Sequence, residues 1–136
     1  MSSISAIAVS GLNAAARRLQ VSASNVANSQ TTGALPNADG TVPAGAPTAY
    51  APLALVQTAT AGGGVQTSVT TVTPSTTAVF DPQAPFANQD GLVAAPNVDL
   101  AQEFVGQLLA SYSFAANAAV LRADDRMTKS LIDITA

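Results

Sequence analysis

The sequence predicts a mainly α protein with a small β-rich insert: a long helix at each end, and Thr/Gly/Pro-rich strands and loops between them. Three observations carry this expectation. Apolar residues recur at helical spacing near both termini. All eight prolines lie between residues 34 and 96. Within that middle stretch, short Val- and Thr-rich runs alternate with period two, as half-buried strands do.

The first helix is expected from residue 3 to about residue 29. Ile4, Ala8, Gly11 or Leu12, Ala15, Leu19 and Val26 recur at steps of three, four or seven, and Ser5, Asn13, Arg17, Gln20 and Ser24 occupy the other face. No proline interrupts the segment. Thr31-Thr32-Gly33 supplies a breaker, and Asn28 or Gly33 is the candidate for the left-handed conformation past the helix end.

Residues 34–96 contain no Lys or Arg and are rich in Thr, Ala, Gly and Val. Residues 34–47 and 59–64 read as loops, the glycine run 62–64 as a turn. Strands are expected at 50–58 and at 65–73, where Val65, Thr67, Val69 and Thr71 share a face, with a third at 78–80. Asp81-Pro82 and Asp90-Gly91 mark turns.

The second helix is expected over 98–134. Asp99 with Gln102 three residues on forms a candidate capping box, and Glu103 adds negative charge where the helix dipole favours it. The apolar stripe runs Val105, Leu108, Tyr112, Ala115, Ala119, Ala123, Met127, Leu131 and Ile134, heptad-like at first and drifting to steps of four. Asp125 and Lys129 form an i,i+4 pair of the favourable polarity. At 1.5 Å per residue the two helices would be roughly 40 and 55 Å long. That is too long to serve the middle region alone, so they suit each other or neighbouring subunits. Alanine in the seams permits close approach but buries little area per contact. One such pair is weak, and many repeated in an assembly add up. An ordinary antiparallel hairpin within one chain fits the periodicity equally well. If Leu108 and Leu131 lie in a seam, Asp at either position would bury a charge.

Composition narrows the function. Charged residues are 10% of 136, against about 25% in an average soluble protein. Five basic residues and a net charge of −3 argue against nucleic acid. Without Cys there is no disulfide or thiolate chemistry, and without His the commonest general base and metal ligand is gone. The N-terminus lacks the basic region of a secretory signal, and no uninterrupted apolar run approaches the ~20 residues of a bilayer span. No membrane insertion is expected.

No catalytic constellation stands out, and neither a cofactor, a metal nor a small-molecule substrate is expected. Asp124 and Asp125 are adjacent and read as solvated surface. Gly62-Gly63-Gly64 lacks the Lys-Ser/Thr of a phosphate loop. Arg17 and Arg18 read as a solvated basic spot, with an inter-subunit salt bridge as the sharper reading. Asn25 and Asn28 fit helix termination, with specific packing as the other reading.

Particular residues then carry a resemblance. Ser10-Gly11-Leu12-Asn13-Ala14, Arg18-Leu19, Asn25-Val26-Ala27-Asn28 and Thr31-Thr32-Gly33 resemble the N-terminal signature of flagellar rod, hook and hook-associated proteins. Asn97-Val98-Asp99-Leu100, Glu103-Phe104-Val105, Phe114-Ala115-Ala116-Asn117 and Leu131-Ile132-Asp133-Ile134 resemble the matching C-terminal signature. Phe80-Asp81-Pro82 followed by Pro85, Ala87, Gly91, Val93 and Pro96 is similar to the segment before the second helix in proximal rod proteins. The chain departs from that pattern at Ala34, Ala84, Leu92 and Tyr112.

The resemblance implies a coiled-coil-like inner domain formed by residues 1–33 and 97–136, and an outer β and loop-rich segment over 34–96. It implies a structural subunit of the basal-body rod, a hollow shaft in the periplasm that carries torque from motor to hook. The implied partners are other rod subunits, copies of the chain itself, and the flagellar type III export apparatus, which needs no cleaved signal peptide. The assembly residues it points to are Leu12, Leu19, Asn25, Val26, Asn28, Asp99, Phe104, Val105, Leu108, Tyr112, Ala115, Asn117, Met127, Leu131 and Ile134. Other readings are a divergent paralogue, another flagellar axial protein, or a secreted β-rich surface-binding module. The last predicts that residues 34–96 fold alone.

Overall fold

The computed structural model describes residues 3–37 and 39–135; the expected loop over 34–47 includes residue 38, which lies outside them. The order is α1 (Ser3–Asn28), β1 (Leu53–Ala59), β2 (Val65–Thr71), β3 (Thr76–Phe80), β4 (Leu92–Pro96) and α2 (Leu100–Thr135). The chain is thus mainly α with a small antiparallel β insert, as the sequence predicts.

Helix α1 closes with a turn in which Ser29 N donates to Val26 O and Thr31 N to Asn28 O. The Asn28 side chain donates to Ser24 O at 2.9 Å, so it does terminate the helix. Neither Asn28 nor Gly33 adopts the left-handed conformation, contrary to expectation. Gly33 is demanded by crowding instead. It bridges Ala94 through bonds of 3.0 and 2.8 Å. A Cβ there would fall 2.3 Å from Ala49 N and 2.5 Å from the Thr48 carbonyl carbon, backbone atoms that cannot step aside.

Strands β1 and β2 form a hairpin with Leu53 opposite Thr71 and Ala59 opposite Val65. Its turn is closed by Thr60 N to Gly64 O and Gly63 N to Thr60 O, with positive φ at Gly63 and Gly64. Strands β3 and β4 form a second hairpin, Thr76 opposite Pro96 and Phe80 opposite Leu92. The expected turns at Asp81 and Gly91 close it through Asp81 N to Gly91 O, with Gly91 at positive φ. β4 is the element the sequence does not announce. Val93 and Ala94 are both fully enclosed, so adjacent residues are buried and no alternation marks the strand. The two hairpins are separate two-stranded sheets. Such a sheet is marginal alone, and the β1–β2 sheet lies on α1.

Helices α1 and α2 pack antiparallel, since Ser5 meets Asp124 at one end and Ser22 meets Glu103 at the other. The buried side chains are small: Ala8, Ala14, Ala15 and Val21 on α1 and Ala110 on α2. At the start of α2, Asp99 Oδ1 accepts from Ala101 N at 2.9 Å and Gln102 N at 3.1 Å, so Asp99 caps the helix; this is the Asp99 half of the expected capping box, with Gln102 taking part through its backbone amide.

Candidate assembly interface

The helix seam is not where the apolar stripe lies. Residues of α2 that turn toward α1 include Glu103, Gln107, Ala110, Asn117, Leu121 and Asp124, small or polar side chains but for one leucine, spaced by threes, fours and one seven. Leu108 lies two residues before Ala110, which at 3.6 residues per turn is roughly 200° round the helix. Around Leu108 the stripe therefore points away from α1, whereas Leu131, seven residues past Asp124, continues the seam face beyond the point where Ser5 near the start of α1 meets Asp124. Phe104, Val105, Leu108, Tyr112, Met127, Leu131 and Ile134 are all more than half exposed, Tyr112 at 73% and Ile134 at 78%. Ala115 is exposed beside them. Leu108 and Leu131 are both exposed in the single chain, so α1 does not form the seam in which Asp at either position would bury a charge.

Polar contacts hold the seam in place of bulk. Asn25, 1% exposed, is its hub. Its amide pairs with both backbone groups of Leu53, donating to Leu53 O at 2.8 Å and accepting from Leu53 N at 2.9 Å. In doing so it extends the β1 edge by one strand-like partner. The same amide donates to Glu103 Oε1 at 2.6 Å and accepts from the Tyr50 hydroxyl at 3.1 Å. Ser22 Oγ donates to Glu103 O and accepts from Gln107 Nε2, both at 3.1 Å. Asn25 therefore serves tertiary packing and not helix termination, and Glu103 does more than complement the helix dipole. All four contacts of the Asn25 amide fall on residues 25 or more positions away, which is why spacing did not find them.

Asp124 also departs from expectation. It is 7% exposed, not solvated, and its carboxylate accepts from Ser5 Oγ. Its neighbour Asp125 stays at the surface and pairs with Lys129 at 2.9 Å, raising the lysine's pKa. Arg18 reaches Gln57 Oε1 at 3.2 Å, tying α1 to β1, and Arg17 contacts only Gln20 Oε1 at 3.5 Å.

The remaining sequence-chosen residues spread over several surfaces. Leu12, Val26 and Asn28 are half-buried on α1, and Leu19 is 44% exposed. Asn117 is half-buried opposite Gly11, and Asp99 is an exposed cap. A half-open cavity of about 260 Å³ lies between α1, the β1–β2 hairpin and α2. Its polar lining is already engaged: Ser10 accepts from Val65 N, Arg18 donates to Gln57 and Asn117 donates to Ser113 O. Among the described residues no group of three or more acids, His or Cys could hold a metal.

The outward stripe has a further effect. No apolar run is long, yet α2 is long and apolar enough by composition to cross a membrane. The expectation from uninterrupted runs was therefore too strict for this helix. An apolar face this extensive on a helix that already has a partner calls for a cover.

Comparison with known proteins agrees with the two ends. Residues 6–34 match the family model for flagella basal body rod proteins, and residues 89–134 match that for the C-terminal region of flagellar basal body rod FlgEFG proteins. The chain is 37% identical over 130 residues to the flagellar basal-body rod protein FlgC of Yersinia enterocolitica, covering 93% of this chain and 88% of that one. It is 35% identical over 115 residues to the FlgC proteins of Salmonella typhimurium and Escherichia coli O157:H7, covering 85% of this chain and 83% of each relative.

Proposed function

The chain belongs to the FlgC family of flagellar basal-body rod proteins and is a structural subunit of the rod, and from that premise we propose that it is built in through the outward apolar face of α2. The observation that carries this is the opposition of two faces on one helix. The small, polar face satisfies α1, while Phe104, Val105, Leu108 and Tyr112 on the other side are left more than half exposed.

In this reading the terminal helices stack in a coiled-coil-like inner wall with the helices of other rod subunits and of further copies. The two β hairpins form the outer part, residues 34–96. Torque passes along the wall because load divides over many small apolar contacts. The chain acts mechanically and not as an enzyme. Helices and not lipid cover α2: Glu103, Gln107, Asn117 and Asp124 on its inner face, with Arg122, Arg126 and Lys129 further on, would be costly in a bilayer. Assembly in the periplasm after export by the flagellar type III apparatus belongs to the same reading.

The test is a strain lacking this gene and any duplicate of it. Absent rods and lost motility, both restored by the gene in trans, are expected. Intact hook-basal bodies in that strain would refute the assignment of role.

A further inference from the structure

Charge is divided unevenly in this chain. The helical ends carry all five basic residues and five of the acidic ones, so they are neutral together. The net charge of −3 comes wholly from Asp39, Asp81 and Asp90 in the middle segment. Asp39 is occupied, its carboxylate accepting from the Thr41 hydroxyl at 2.6 Å and the Thr41 amide at 2.9 Å. Asp81 is half-buried at the base of the β3–β4 turn. Asp90 is exposed at that turn, and among the described residues its carboxylate meets no cation. Beside it Phe80 is 70% exposed at the end of β3, the edge of its ring lying against Gly91.

A matching deficit lies on α1. Two adjoining depressions run between its outer face and β2, and Arg17 and Gln20 line both, with Thr67 and Val69 on the strand side. Among the described residues the Arg17 guanidinium has one long hydrogen bond, to Gln20, and no carboxylate partner. One polar groove thus holds an unmatched cation, and one projecting turn holds an unmatched anion next to an exposed aromatic. We propose that the β3–β4 turn of a second copy of this chain docks in the α1–β2 groove, with its Asp90 against Arg17 and its Phe80 over the groove wall. The two surfaces are different patches of the same chain, so the contact is head-to-tail. Such contacts repeat from copy to copy into rings or helical arrays and do not close as a two-fold pair. Arg suits the site, since its planar guanidinium can meet a carboxylate and an aromatic face together. The inference rests on the chain's being a rod subunit.

Because the chain has no cysteine, an introduced pair is the only thiol chemistry present. Full-length chain with Arg17→Cys and Asp90→Cys replaces the native gene, and hook-basal bodies are purified and mildly oxidised. Bands at multiples of the 13.5 kDa chain are expected from the double variant and not from either single one. In parallel, Arg17→Asp or Asp90→Arg alone should reduce incorporation into basal bodies, and the two together should restore it. Double-cysteine chain that stays monomeric within basal bodies, cross-links to a different protein, or a reversed pair that fails to restore incorporation would each overturn the contact while leaving the rod assignment intact. Absence of the unaltered chain from basal bodies would instead overturn the rod assignment itself.

Discussion

Gly11 of α1 and Asn117 of α2 face each other with no room for a methyl group between them: a Cβ on Gly11 would lie 2.3 Å from Asn117 Oδ1. The obstacle is the far end of a side chain that also donates to Ser113 O at 2.8 Å. Gly11→Ala should therefore cost about 1–2 kcal/mol despite the gain in helix propensity. Adding Asn117→Ala should recover that loss, because the propensity gain then meets no clash. A double-mutant cycle by denaturant unfolding checks this, and additive effects would show that the two residues do not collide.

Asn25 offers a sharper substitution. Asn25→Asp keeps the shape but removes the donors to Leu53 O and Glu103 Oε1, placing a carboxylate against two acceptors. The expected loss is about 3 kcal/mol or more. Asn25→Ala should be milder, since it leaves groups unpaired without adding charge. Thermal unfolding ranks the two, and an Asp variant as stable as the parent would contradict the hub geometry.

Leu108→Asp and Leu131→Asp separate folding from assembly. Both sites are exposed, at 59% and 65%, so isolated chain should lose roughly 1 kcal/mol or less. Incorporation into basal bodies should nevertheless fail, because a charge would sit in the contact with the next subunit. Circular dichroism of purified chain and motility of the variant strains give the two readouts. Normal motility with both substitutions would remove the α2 stripe from the assembly surface.

Much of the architecture was legible because it follows period. Both helices, the β1–β2 hairpin and the turns at Gly62-Gly63-Gly64 and Asp90-Gly91 announce themselves by spacing and by residues with special backbone freedom. β4 did not, since Val93 and Ala94 are buried on successive positions and Pro96 ends the strand. The candidate surface was legible as a stripe but not as to its direction. Periodicity shows that Leu108 and Tyr112 share a face; it does not show that the partner helix takes the opposite one. Here small size and hydrogen bonding won over hydrophobicity, through Gly11, Ala15 and Ser22 meeting Asn117, Ala110, Glu103 and Gln107. Asp124 was misread for the same reason: a polar residue on a helix suggests solvent until a distant partner is known to lie over it. For Asn25 the packing reading holds and the helix-termination reading does not, again because its partners are distant. Gly33 was correctly singled out as a breaker, but for its conformation and not for its crowding.

The hub at Asn25 sets an order of events. Its bonds to Leu53, with Ser10 on Val65 and Arg18 on Gln57, fasten the first hairpin to α1 using nothing beyond residue 71. Only the bond to Glu103 waits for α2. A chain emerging N-terminus first can make those bonds before its last third follows. α2 then adds the Glu103, Ser22 and Asp124 contacts and covers Ala8, Ala14, Ala15 and Val21. The helix that seals the molecule is thus also the one that leaves a long apolar face for a neighbour.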